Sequence, residues 1–101
     1  MSAESIVVTV DADLEDLIPG FMERRHGDVQ KLRAALSAGD LKSARIIGHS
    51  LKGTAGGYGF SGLSAIGAAI ETAARDEDAA AIVKQVDEME HYLSRVDIRF
   101  R

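Results

Sequence analysis

The chain has 101 residues, enough for one domain, and its net charge of −4 argues against a nucleic-acid partner. Hydrophobic residues make up 46 % and charged residues 28 %, a globular rather than a disordered balance. Three Phe, two Tyr and no Trp leave the core to Ala, Leu, Ile, Val and Met, and the absence of cysteine excludes disulfides, thiolate metal sites and thiol catalysis.

In chain order, residues 6–10 (Ile-Val-Val-Thr-Val) are β-branched throughout and too short for a helix, so they read as a strand or extended arm. A helical pattern runs from about Asp13 to Ser37, with Leu14, Leu17, Ile18, Phe21, Met22, Val29, Leu32 and Leu36 recurring mostly at three or four residues. Pro19 interrupts it. Either the main helix begins near Leu17 with Pro19 in its first turn, or a short helix breaks there. Gly39 closes the segment and Asp40 is a good N-cap for the next, which runs toward Tyr58 and the glycines at 56, 57 and 59. A third helix opens near Ser61 and carries Leu63, Ile66, Ile70 and Ala73 on one face; Ser61-Gly62-Leu63-Ser64 falls short of a capping box because position 64 is not acidic. The fourth starts within Asp76–Asp78 and repeats Ile82, Val86, Met89, Leu93 and Val96. Val96-Asp97-Ile98-Arg99-Phe100 then alternates apolar and charged residues as a half-buried strand does, although Val96 could instead end the helix.

Four helices with short links favour an all-α, antiparallel up-down four-helix bundle, with a short β arm pairing the N- and C-termini. The division expected is one domain over 1–101: an arm over 1–12, the bundle over about 13–95 and a tail over 96–101.

The second helix carries the chemistry. At about 100° per residue, Ala44, Ile47, Leu51, Thr54, Ala55 and Tyr58 gather on a core face. His49 falls opposite, toward water, flanked by Lys42, Arg45, Ile46, Lys52, Gly53 and Gly56. A neutral imidazole nitrogen is a nucleophile near cell pH. Phosphoryl transfer asks the protein mainly for in-line positioning and positive charge near the equatorial oxygens. Lys52, three residues on, and Arg45, four residues back, can supply that charge. A helical glycine costs about 1 kcal/mol relative to alanine, and Gly53 and Gly56 clear side chains from beside His49. Ile46 and Lys42 offer a partner an apolar and a charged contact. Gly48 and Gly57 point instead to close helix packing. The ordinary reading of a surface histidine among lysines is a solvated face; the lysine at i+3 and glycine at i+4 set this one apart.

His49-Ser50-Leu51-Lys52-Gly53, with Gly59 ten residues after the histidine, resembles the signature of histidine-containing phosphotransfer (HPt) domains. Leu63, Ile66, Ile70-Glu71, Ala73, Ala74 and Arg75 resemble the helix that follows in that family, and Asp40 and Ala44 its lead-in. The likeness spans roughly Asp28 to Leu93. It implies a four-helix bundle with His49 as phosphoryl acceptor, Lys52 as phosphoryl-stabilising base, Gly53 as space-maker and Gly59 as the small residue near the helix end, so that Gly53, Gly56 and Gly59 are expected as the close-approach glycines. It also implies a phosphorelay intermediate that is not itself an enzyme, exchanging with the phospho-aspartate of a response-regulator receiver domain and with a hybrid or sensor histidine kinase. The magnesium would belong to the receiver, so no cofactor and no metal are expected here. The glycine-rich helix end at Gly56-Gly57 and the arm Ile6–Val10 fall outside the shared pattern.

His26 and His91 lack the lysine and glycine partners and read as ordinary surface or boundary histidines. No histidine pair stands at i,i+4 for a metal. Glu71 and Arg75 read as an i,i+4 surface pair, with Arg75 able to reach His49 if the third helix packs beside it. Three rival readings remain: a non-phosphorylated adaptor that binds a receiver or kinase through Ile46 and the glycine surface; a dimerising kinase fragment, disfavoured because no acidic residue follows His49; and a small enzyme using His49 as base, disfavoured because no carboxylate shares its wheel position. No nucleotide-binding loop, apolar run of about 20 residues or signal-peptide pattern is present. A monomeric, cytoplasmic protein without nucleic-acid or membrane partners is expected.

Overall fold

A computed structural model describes residues 4–101; residues 1–3 of the expected N-terminal arm lie outside it. Strand β1 (Ile6–Val10) is followed by a 3-10 helix over Ala12–Leu17, then by α1 (Ile18–Ala38), α2 (Leu41–Tyr58), α3 (Ser61–Arg75), α4 (Ala79–Arg95) and strand β2 (Val96–Phe100). The helices form a four-helix bundle in which each packs on its sequence neighbours and α1 also packs on α4. Both readings at Pro19 hold at once: a short 3-10 helix comes first, and Pro19 sits in the first turn of α1, where a missing N–H costs nothing.

The three helix junctions are built alike. At the end of α1, Gly39 takes φ +68°, Gly39 N–H donates to Leu36 and Asp40 N–H to Ala35. At the end of α2, Gly59 takes φ +92°, with bonds from Gly59 to Gly56 and from Phe60 to Ala55. After α3 the left-handed residue is Glu77, at φ +56°, with bonds from Glu77 to Ala74 and from Asp78 to Ala73. This paired pattern satisfies the last carbonyls of a helix and turns the chain sharply. The residue that completes each turn then starts the next helix. Asp40 and Asp78 accept from the backbone N–H of Ser43 and Ala81, whereas Phe60 at the head of α3 makes no side-chain cap.

The core is aliphatic around one aromatic cluster. Phe21 stacks on Tyr58 and Phe60 with centroids 4.7 and 4.8 Å away, and the Arg25 guanidinium lies 4.9 Å from the Phe21 ring while its Nε donates to Asp28. Leu32, Leu51, Leu63, Ile70, Ile82, Val86 and Met89 are fully buried around it. The apolar spacing is correct in α3 and α4 but overreaches at Leu17, which is half exposed. Leu17 ends the 3-10 helix, whose three-residue turn rotates it off the α1 stripe. On α2 the buried face is Ala44, Gly48, Leu51 and Ala55, with Ile47, Thr54 and Tyr58 at its edge.

The terminal strands do pair, in parallel, with Ile6 beside Val96 and Val10 beside Phe100. Val96 both ends α4 and opens β2. Val8 and Val10 are buried, so the arm is part of the core. It lies at the α2–α3 junction, where the carbonyl of Thr9 faces Gly59.

Candidate phosphoryl-acceptor site

His49 lies midway along α2, and two-thirds of its side chain (68 %) is exposed to solvent. Its ring does not stand alone. Glu71, from α3, reaches across so that one carboxylate meets two side chains of α2: Oε2 lies 2.8 Å from His49 Nδ1, and Lys52 Nζ donates to Oε1 at 2.8 Å. Arg75 Nη2 is 3.8 Å from Oε2, so the third helix does carry Arg75 to the site, as a weaker outer charge. The Glu71 side chain is only 12 % exposed. Its carboxyl is held below the usual glutamate range, first by the Lys52 hydrogen bond and then by that from His49.

An ionised carboxylate can only accept. The proton of the 2.8 Å contact therefore sits on His49 Nδ1, and in the neutral ring Nε2 is left with its lone pair. A single carboxylate thus sets the ring's tautomer and orientation and draws an ammonium to within one group of it. The wheel of α2 shows no carboxylate beside His49, and the structure supplies one from α3. A helical wheel compares residues of one helix, and Glu71 comes from another. The expected i,i+4 pair with Arg75 is present at 3.8 Å, the longest of three contacts that Glu71 makes, the two shorter ones reaching α2.

Arg45, Ile46, His49 and Glu71 line a shallow cavity of about 240 Å³ beside the ring. Ile46 is 58 % exposed, an apolar side chain with no core role, and Lys42 is exposed one turn earlier. The glycines divide by what a side chain would meet. At Gly53 a Cβ would find nothing within 4 Å, so this face of α2 is bare beside the imidazole. At Gly56 it would come within 3.3 Å of Ser64 Oγ, which places Gly56 at the edge against α3. Gly59 does not belong to the close-approach surface. Ten residues from His49 it lies about 15 Å along the axis, and its φ of +92° makes it the terminator of α2. Gly48 is in close helix packing as expected, but Gly57 faces open space, contrary to its packing assignment.

His26 and His91 are exposed on α1 and α4, and among the described residues no group of three or more His, Asp or Glu is arranged to hold a metal. No helix among the described residues is long and apolar enough to cross a membrane.

The four-helix bundle and the exposed histidine on its second helix agree with the resemblance to histidine phosphotransfer domains. The family model of the Hpt domain matches residues 13–98, and the chain belongs to that family: a phosphotransfer domain of two-component signalling. No curated protein and no solved structure matches it significantly. The match begins after β1, so the buried arm lies outside the family pattern.

Proposed function

We propose that His49 is the phosphoryl carrier, and that it exchanges the group with the phospho-aspartate of a receiver domain, which in turn connects it to a sensor or hybrid histidine kinase. One observation carries this reading: the ring is exposed while Glu71 occupies Nδ1, so the nucleophilic lone pair is at Nε2, on the open side. In the forward step the Nε2 lone pair attacks phosphorus, the bond from phosphorus to the aspartyl oxygen breaks, and the carboxylate leaves. The Nδ1 proton stays in place, and the positive charge the ring gains on forming the N–P bond is compensated by Glu71. Reversal returns the group to aspartate.

Lys52 and Arg45 then serve as the cations for the equatorial oxygens. Lys52 is held on Glu71, next to the ring, and needs only a side-chain rotation to meet an arriving phosphoryl group. Gly53 admits the receiver's loops, Gly56 widens the approach toward α3, and Ile46 with Lys42 docks the partner. Gly59 ends the helix and acts through the fold alone.

Incubation with a receiver phosphorylated on aspartate tests the reading. The expected product is an acid-labile, base-stable label on His49, absent from His49→Gln although that variant still binds the receiver. Label on His26 or His91 would overturn the assignment. An unimpaired relay in His49→Gln would favour an adaptor acting through Ile46.

A further inference from the structure

The bridge from Glu71 to two residues of α2 needs the helices at a particular separation, and two glycines set it. Gly48 and Gly67 face each other where α2 and α3 cross. A Cβ on Gly48 would lie 2.8 Å from the backbone N of Glu71 and 2.9 Å from the Gly67 carbonyl oxygen. A Cβ on Gly67 would lie 2.6 Å from the backbone N of Lys52 and 2.8 Å from the Gly48 carbonyl oxygen. The contact is reciprocal: Gly48 is set against Glu71, and Gly67 against Lys52, as antiparallel helices require. The backbones of the two site residues are therefore themselves the contact surfaces. Both glycines are buried in mid-helix, where glycine is a poor choice unless the space is needed.

We propose that Gly48 and Gly67 are positioning residues for the transfer: their backbone contact holds α3 at the distance from which the Glu71 carboxylate spans both the His49 ring and the Lys52 ammonium. This rests on the carrier reading above. Unlike a clash with a flexible side chain, one with backbone on both sides is relieved only by moving a helix. Restoring ordinary carbon contacts of about 3.5–4.0 Å needs a shift of roughly 1 Å. Hydrogen bonds of this type usually lie at about 2.7–3.2 Å and are lost near 3.6 Å, and both bonds of Glu71 stand at 2.8 Å. One oxygen could follow its partner by a rotamer change. Lys52 can also follow on its flexible stem, so the contact that a receding helix breaks is the one to the shorter His49 ring. A second tie, Ser64 Oγ donating to the Lys52 carbonyl oxygen at 2.8 Å, keeps the crossing from sliding.

The experiment reads the ring nitrogens of unphosphorylated His49 by 15N NMR at alkaline pH, beside the single-turnover rate of phosphoryl uptake from a phosphorylated receiver. In the wild type the Nδ1–H tautomer dominates. Gly67→Ala shifts the ring toward a tautomer mixture and slows uptake tenfold or more. Gly62→Ala is the control: its Cβ would press on the Tyr92 ring at 2.9 Å, straining α3 against α4 but not against α2. It lowers the melting temperature while leaving tautomer and rate alone. Glu71→Asp withdraws the carboxylate by one methylene without touching the helix contact, so it reproduces the tautomer loss in a protein that folds even if Gly67→Ala does not. A wild-type tautomer and rate in Gly67→Ala, or in Glu71→Asp, overturns the proposal. Failure of the wild type to take phosphate sinks only the carrier reading, because the nitrogen shifts are measured without it.

Discussion

Gly53→Ala should make this protein more stable and worse at transfer. Gly53 is in the interior of α2, exposed, without positive φ, and an added Cβ meets no atom within 4 Å. No packing cost opposes the substitution, so the helix-propensity gain of about 1 kcal/mol should be realised nearly in full. Part of it arises in the unfolded chain, which loses freedom that glycine had. For a domain of this size, 1 kcal/mol moves the melting temperature by about 4–8 °C. The same methyl stands on the bare face beside the imidazole, where a receiver must close. A tenfold loss of transfer efficiency would correspond to about 1.4 kcal/mol of docking energy, so the two effects are of similar size and opposite sense. Thermal unfolding by circular dichroism and single-turnover transfer from a phosphorylated receiver measure them separately. Gly57→Ala is the companion: it is also open, but lies farther from His49 and near the helix end, so a smaller gain in stability with unchanged transfer is expected. A fall in melting temperature for Gly53→Ala would show that the site is not open. A rise, with transfer unchanged even in Gly53→Leu, would refute the space-making role.

Other outcomes follow from the same geometry. The Glu71 carboxyl is depressed by Lys52 and then His49, so its stabilising effect is complete above the ordinary glutamate pKa and is lost as pH falls through the lower folded value. In urea titrations across that acid range the wild type should lose its advantage over Glu71→Gln, and a gap that widens on acidification would contradict the sign. Glu77 carries a side chain at φ +56°, in the place that glycine fills at the two other junctions, so Glu77→Gly should stabilise the fold by up to about 1 kcal/mol, read as an increased denaturation midpoint. Phe21 is fully buried and stacks on both Tyr58 and Phe60, so Phe21→Ala should cost about 3–5 kcal/mol, a large part of a small domain's stability, and abolish the cooperative thermal transition near physiological temperature.

Local rules determined much of this molecule. The start of α2 was legible because Asp40 caps and Gly39 terminates the helix before it, both effects that act within a few residues. Its end lay open among Gly56, Gly57 and Gly59 until the structure gave Gly59 the left-handed turn. The exposed place of His49 follows from helical periodicity alone, as does the burial of Ile82, Val86, Met89 and Leu93 on α4. The tail's alternation likewise announced β2. Tertiary structure decided whatever depends on which helix lies beside which. Glu71 gives no signal on its own helix that it will hold His49 and Lys52, because its partners are 22 and 19 residues away and only the α2–α3 crossing brings them to 2.8 Å. Gly67 looks like any small residue until the backbone opposite is known, and Phe60, at a junction where no periodicity applies, proves to be fully buried. Periodicity reports which way a side chain faces. What it faces is fixed by the packing of separate elements, so the histidine could be found in the sequence and the carboxylate that orients it only in the fold.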